Sequence, residues 1–301
     1  MDYNLLTILG PTAAGKTSLS AQIANRFNGE ILSADSRQVF IGMDIGTGKD
    51  IKDYTIDDNQ VPYHLIDIIS PKDEFSMFQF RKLFYESFLE ITKRNKLPIL
   101  AGGTGLFIHS ILKNYSMQEV DFSGDRFEEL SQKELKELTD ILRRINSSLH
   151  NTTDLTEKKR VIKAIIIAES SDNEFIPPVN INSFVIGVRV ERSKIKENIK
   201  IRLKERLENG MIEEAQKLIA DGITFEKLHF FGLEYKFLAL YLSGELSYND
   251  MQQKLYSAIC EFAKKQMTWF RKMEKEGIKI HWIEGPDFNA AEKLIEENFS
   301  L

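Results

Sequence analysis

Eight residues near the start of the chain, Gly10-Pro11-Thr12-Ala13-Ala14-Gly15-Lys16-Thr17, match G-x-x-x-x-G-K-[ST] in full. The glycines let the backbone curl so that successive N–H groups turn into one concavity that suits phosphate oxygens. Lys16 adds a compact positive charge, and the Thr17 hydroxyl is placed to share a Mg²⁺ with the same phosphates. Such a loop specifies phosphate and leaves the chemistry open, because kinases, ATPases and prenyl transferases can all use it. Asp35 opens a second cluster, Asp35-Ser36-Arg37-Gln38, followed by the Gly42–Lys49 segment GMDIGTGK. A carboxylate there can act as a general base or hold a metal-bound water. The third cluster is Ala101-Gly102-Gly103-Thr104-Gly105. An ATPase or GTPase would place a magnesium-binding Asp at that point, whereas two glycines permit close backbone approach of a ligand. No Arg-rich lid of the kinase kind is evident.

The elements that must position these residues alternate. Leu5–Leu9 reads as a buried strand, Lys16–Phe27 as a helix, and Ile31–Ser33 as a strand that delivers Asp35. His64–Ile68 reads as a third strand, Phe75–Arg94 as a helix, Pro98–Ala101 as a fourth strand and Leu106–Leu112 as a helix. This alternation predicts an α/β fold, a P-loop parallel sheet flanked by helices, with ligands gathered at the carboxyl ends of the strands. From about Asn114 to Asn180 the pattern turns into charged helical stretches, Ser131–Asn146 and Thr156–Ala168. Phe184–Val190 then resumes the sheet, and helices follow at Ser193–Asn209, Ile212–Ala220, Tyr235–Leu242 and Tyr248–Lys275, before a last strand at Ile278–Ile283. The expected organisation is a first core segment over 1–114, a helical insertion over 115–180 and the resumed core with a helical C-terminal region over 181–301.

Composition narrows the setting. No apolar run approaches the roughly 18–20 residues of a membrane span, and no basic leader with a cleavage site precedes Leu5–Leu9. A single cysteine, Cys260, excludes an intramolecular disulfide and fits a reducing compartment, so a cytoplasmic protein is expected. The net charge of −5 is unevenly spread: Glu191–Arg206 carries seven Lys/Arg against three Glu, and Thr156–Lys163 four against one. Segregated positive charge of this kind can steer a polyanion to one face, although solvated helix faces look the same in sequence. His64, His109 and His229 have no metal-ligand spacing and read as structural. Trp269, Trp282 and the Phe75–Phe84 aromatic run read as core.

GPTAAGKT, DSRQVFIGMDIGTGK, HLIDI and AGGTGLFI, in this order and spacing, resemble the tRNA dimethylallyltransferase family. The resemblance continues through KKRVIKAI around Arg160 and GLEYKFLALYLSGELSYNDM near Gly232 to FAKKQMTWFRK at Phe262–Lys272. It implies that Gly10 and Thr12, Ala13, Ala14, Gly15, Lys16 and Thr17 hold the diphosphate of dimethylallyl diphosphate, with Mg²⁺ on Thr17. It implies that Asp35 is the general base on the exocyclic amine of an adenine in the tRNA anticodon loop. Ser36, Arg37, Gln38, Thr104, Arg126 and the segment Lys159, Arg160, Val161, Ile162, Lys163 are then tRNA contacts, and a monomer is expected. The basic stretch Lys194–Arg206 is expected to join them as a clamp.

Three positions depart from the family pattern. An Arg of TRQxAKRQ is Cys260, the Glu of RALEV is Ile166, and GYR reads Gly232-Leu233-Glu234. None is expected to touch the P-loop or Asp35. The insertion is also short. Two enzymatic rivals and one binding protein compete with this reading. An adenylate-type isopentenyltransferase acting on free nucleotide needs neither the insertion nor the basic helices. A small-molecule P-loop kinase fits DSRQ and the Asp-free GGTG poorly, and a non-catalytic RNA-binding descendant would have no need of intact Gly15-Lys16-Thr17 and Asp35.

Overall fold

Leu5–Leu9 (β1) is buried along its whole length, which a strand requires when helices cover both faces of its sheet. It accordingly lies inside the sheet, between β6 (Leu97–Gly102) and β7 (Ser183–Arg189). The computed structural model describes residues 3–115, 122, 124–145, 155, 157–169 and 179–299. With β2 (Gly29–Ala34), β5 (Tyr63–His64) and β8 (His281–Glu284) the strands form a six-stranded sheet in the order β5-β2-β6-β1-β7-β8. Every pairing in it is parallel. Between β2 and β5 lie a 3₁₀ turn, Ile51–Tyr54, and a small antiparallel hairpin of β3 (Thr55–Ile56) and β4 (Asn59–Gln60).

The chain divides into two units, Met1–Asn114 with Val179–Leu301, and Tyr115–Pro178. In the first, α1 (Lys16–Arg26) and α2 (Met77–Lys93) pack on β2 and β6, and α3 (Gly105–Leu112) follows β6. A capping box starts α2: Gln79 N–H donates to Ser76 Oγ at 3.2 Å, and Ser76 N–H to Gln79 Oε1 at 2.7 Å. The second unit holds α4 (Asp125–Ser131), α5 (Leu135–Ile145) and α6 (Lys158–Glu169) around its own core of Leu130, Leu138, Leu142, Val161, Ile162, Ile165 and Ile166.

Returning to the first unit, α7 (Arg192–Glu208), α8 (Met211–Ala220), α9 (Phe225–Phe230), α10 (Leu233–Leu242), α11 (Tyr248–Lys275) and α12 (Phe288–Asn298) complete it. Along α11 the buried residues Met251, Leu255, Ile259, Ala263, Gln266, Phe270 and Met273 recur every three or four positions, one face of a helix. Gln266 is the polar member of that stripe.

Two sequence expectations need correction. The HLIDI pattern predicts a strand over His64–Ile68, but pairing stops at His64 because Leu65 and Asp67 adopt left-handed backbone (φ 66° and 53°). The segment instead bonds irregularly to the DSRQVF turn, Asp67 N–H to Gln38 O and Ile68 N–H to Val39 O. The helix predicted over Ser131–Asn146 starts only at Leu135, after α4 has ended at Ser131, and Asn146 lies outside the described residues.

Candidate active site

The carboxyl ends of β1, β2 and β6 open on one cavity of about 480 Å³. Five cationic side chains and three carboxylates line it: Lys16, Arg37, Arg202, Arg206 and Lys265, with Asp35, Asp50 and Glu234. Such an excess of positive charge around a cavity suits an anionic ligand.

At the β1 end the chain turns through Ala13 (φ 61°) and Gly15 (φ 80°) into α1. Gly15 is needed twice over, since a Cβ there would also lie 2.8 Å from Pro286 Cγ. Lys16 Nζ donates to Pro11 O at 2.7 Å. Burial, and then the neighbouring Arg202, push the Lys16 pKa down to about 8, with Asp35 opposing. Arg202 itself donates to Thr12 Oγ1, and Asn198 Nδ2 to Ala13 O at 3.1 Å. Burial, and then Arg206, lower the Arg202 pKa to about 10. Two desolvated cations thus face the same loop, and an anion placed between them would restore both. Gln266 bridges the loop to β6: its Oε1 accepts from Thr12 N–H at 2.7 Å, and its Nε2 donates to Gly103 O at 2.9 Å.

At the β2 end, Asp35 lines the cavity and its Oδ1 accepts from Arg37 N–H at 2.9 Å. Ser36 N–H donates to Thr104 Oγ1 at 3.1 Å, which joins this turn to the AGGTG segment. Gln38 Nε2 donates to Gly48 O at 3.0 Å. The loop carrying Gly48 is held from outside: Glu214 accepts the N–H groups of Asp44 and Ile45 at 2.7 Å each and of Gly46 at 2.9 Å. The Tyr235 hydroxyl donates to the same carboxylate at 2.6 Å. Lys49, its side chain fully buried, donates to Phe40 O at 2.6 Å and to Asp44 Oδ1 at 2.8 Å, and also pairs with Asp67.

The expected site residues separate into three groups. Gly10, Ala14 and Gly15 shape the loop without lining the cavity. Thr12, Ala13, Lys16, Thr17, Asp35, Ser36, Arg37, Gln38 and Thr104 all line the cavity. The remaining tRNA-contact candidates belong to the helical unit. There Lys159 and Arg160 are exposed, with Arg160 paired to Glu157 at 2.8 Å, and Lys163 sits 4.9 Å from the Phe122 ring centroid. Arg126 is held in a two-pronged pair with Glu169 and by Glu129 at 2.6 Å, hydrogen bonds that raise its pKa. An RNA phosphate would have to displace those carboxylates. Val161 and Ile162 are corrected as side-chain contacts: their side chains are buried in that unit's core.

Other expectations change as well. The AGGTG glycines line the cavity and are also approached closely by the protein itself: a Cβ would lie 2.4 Å from Ala34 O at Gly102, 2.4 Å from Gln266 Nε2 at Gly103 and 2.3 Å from Trp269 Cδ1 at Gly105. Trp269 is therefore a cavity wall rather than core. Within Lys194–Arg206, Arg202 and Arg206 turn into the cavity, while Lys194, Lys196, Lys200 and Lys204 remain exposed. Asn198, Arg202 and Arg206 recur every fourth residue beside the buried Ile195, Ile199 and Leu203, a spacing that marks a second, polar face of α7 in the sequence. Of the three departures, Ile166 is core of the helical unit and Cys260 is half-buried. Glu234, expected to lie away from Asp35, lines the same cavity; burial raises its pKa, Arg206 opposes, and the Asp35 charge adds to the rise.

A parallel sheet whose inner strand runs into a G-x-x-x-x-G-K-[ST] loop, beside a carboxylate at the end of another strand, is the architecture of a P-loop α/β protein. The IPP transferase family model matches residues 38–273, and the chain belongs to that family. It is 50% identical over 286 residues to tRNA dimethylallyltransferase 1 of Geotalea uraniireducens, covering 95% of this chain and 94% of that one. Against tRNA dimethylallyltransferase 1 of Syntrophus aciditrophicus it is 46% identical over 302 residues, 99% of each. The crystal structure of the full-length tRNA isopentenylpyrophosphate transferase from Bacillus halodurans matches with a TM-score of 0.69 at 31% identity, covering 98% of this chain and 95% of that one. A eukaryotic dimethylallyltransferase acting on tRNA shares the fold, with a TM-score of 0.77 at 18% identity, covering 100% and 81%.

Proposed function

We infer that this protein is a tRNA dimethylallyltransferase, which moves the dimethylallyl group of dimethylallyl diphosphate to the exocyclic amine of an adenine next to the anticodon and releases diphosphate. The observation that carries the reading is one cavity with two chemically distinct ends, Lys16 and Thr17 after β1 and Asp35 after β2. Leaving group and nucleophile can be held there at the same time. Relatives named for this activity, similar over nearly the whole chain, support tRNA over a free nucleotide as acceptor.

The adenine amine is a poor nucleophile because its lone pair is delocalised into the ring. As nitrogen bonds to the allylic carbon, Asp35 takes the amine proton, and the carbon–oxygen bond breaks with its electron pair leaving on diphosphate. Lys16, Arg202 and the loop N–H groups meet the charge that develops on that diphosphate. Thr17 at the start of α1 would hold Mg²⁺ jointly with diphosphate oxygens and water. The fit is of that kind because, among the described residues, no cluster of His, Cys, Asp or Glu could hold the ion alone. When bound, it neutralises leaving-group charge. Leu106, Ile259, Phe262 and Trp269 give the cavity an apolar wall that keeps water from an allylic carbon with cationic character.

Ser36, Arg37, Gln38 and Thr104 would hold the target nucleotide, and Lys159, Arg160 and Lys163 the RNA backbone. A cytoplasmic monomer accompanies this reading; no helix among the described residues is long and apolar enough to cross a membrane. Nucleoside mass spectrometry tests the whole. tRNA incubated with the protein, Mg²⁺ and dimethylallyl diphosphate gains one prenyl unit on adenosine. Transfer to adenosine monophosphate but not to tRNA would overturn the choice of acceptor.

A further inference from the structure

Phe230 is the most exposed large apolar side chain among the described residues, at 61%. It ends α9 at the cavity rim: the next residue, Phe231, is buried against Phe40 (centroids 4.9 Å apart) and lines the cavity. The Arg37 guanidinium lies over the Phe230 ring, Cζ 5.6 Å from its centroid. Gly232 (φ 119°) packs on the same arginine, since a Cβ there would lie 3.4 Å from Arg37 Nε. Arg37 is also tied through its own N–H to Asp35. The ring is thus linked, one arginine away, to the carboxylate assigned as base, yet its outer face has no protein cover.

Along α9 the exposed residues are Phe225, Glu226, His229 and Phe230, a mixed surface rather than a contiguous apolar patch of the size that docks another protein. An exposed aromatic face backed by a guanidinium is what unpaired bases stack on. Taking one base out of an RNA loop also leaves its neighbours without a stacking partner. We propose that Phe230, with Arg37 held against it, is the stacking platform for an unpaired nucleotide flanking the target adenine. This rests on the tRNA reading above.

The test is a double-mutant cycle between Phe230 and the RNA. Affinity is measured for an anticodon stem-loop and for the same RNA made abasic at each position flanking the target in turn. F230A and F230L weaken the intact stem-loop roughly tenfold, while F230W restores it, because stacking needs a flat ring and not merely apolar area. With one of the abasic RNAs, wild type and F230A bind alike. The affinity for dimethylallyl diphosphate and the melting temperature stay as in wild type. The proposal falls if F230A binds intact RNA like wild type, if F230L serves as well as F230W, or if F230A loses as much on both abasic RNAs as on the intact one. A change of oligomeric state in F230A, with RNA affinity unmoved, would make the ring a protein contact and overturn the proposal too. Failure of the wild-type protein to prenylate any tRNA is a separate outcome that removes the underlying reading.

Discussion

The two ends of the cavity are built by different means. The phosphate end is a backbone structure: eight consecutive residues supply its curl, with Gly15 in the conformation and space that only glycine tolerates. The base end depends on side chains that arrive from far along the chain. Glu214 of α8, itself held by the Tyr235 hydroxyl of α10, holds the Asp44–Gly46 backbone, and Gly48 in turn holds Gln38. A diphosphate offers the same oxygens in any substrate, so a contiguous loop can supply most of its cradle, with Arg202 added from α7. A base extruded from an RNA loop must be met by a shaped surface, and its shape here is set by helices α7, α8 and α10. One end starts from a contiguous loop that Asn198, Arg202 and Gln266 then brace from α7 and α11; the other is assembled from separate helices throughout.

Substitutions at each end should separate accordingly. Asp35→Asn is nearly isosteric, so both substrates should still bind, while the single-turnover rate falls by about 10²–10⁴-fold, the usual worth of a positioned base. An unchanged rate would leave Asp35 as a holder of metal-bound water. Lys16→Met should cost about 10²–10³-fold in turnover and weaken dimethylallyl diphosphate binding, with tRNA affinity intact. Its pKa gives that end a pH signature. The folded value of about 8 lies below the ordinary 10.5, so between them the folded protein binds fewer protons than the unfolded chain. Stability conferred by this position therefore rises with pH over that window, and the buried charge is a cost below it. Lys16→Met should raise the melting temperature at pH 7 and lose that advantage by pH 10. Diphosphate affinity of the wild type should decline above about pH 8, as titration calorimetry across pH would report.

At the base end, Glu214→Ala frees three N–H groups and the Tyr235 hydroxyl. It should lower kcat/KM for tRNA about tenfold, in line with the roughly 1–3 kcal/mol of a hydrogen-bonded carboxylate, and leave diphosphate binding within about twofold. Equal reductions for both substrates would mean that the two ends are one mechanical unit. The smallest effect is expected on the helical unit. Replacing Lys159, Arg160 and Lys163 with Ala should weaken tRNA binding several-fold and reduce its salt slope by about 0.7–0.9 for each phosphate left without its cation. An unchanged slope would identify those residues as a solvated helix face.

The same contrast explains what the sequence discloses. Leu5–Leu9 and Tyr248–Lys275 run in the structure over the residues their patterns predict, because burial on both faces and a long apolar stripe are periodic signals. The phosphate loop is legible because its chemistry is contiguous. Glu214, Glu234 and Gln266 are not, since each acts on a partner that only folding brings near; Gln266 and Thr12 are 254 residues apart in the chain. HLIDI misleads for a related reason: Asp67 turns out of strand geometry to reach the buried ammonium of Lys49, a contact that local periodicity cannot report. The short α9 and the Thr55–Gln60 hairpin are too brief for any period to register.

The Gln266 bridge gives one loop amide an unusual status. A primary amide is required there, because one end must accept from Thr12 N–H while the other donates to Gly103 O. The bridge turns the Thr12 proton towards α11 rather than leaving it open to water. That proton would then exchange with solvent on the timescale on which α11 parts from the loop, not on the timescale of loop motion. An amide in the turn after β1 thus serves as a clock for a helix at the other end of the chain.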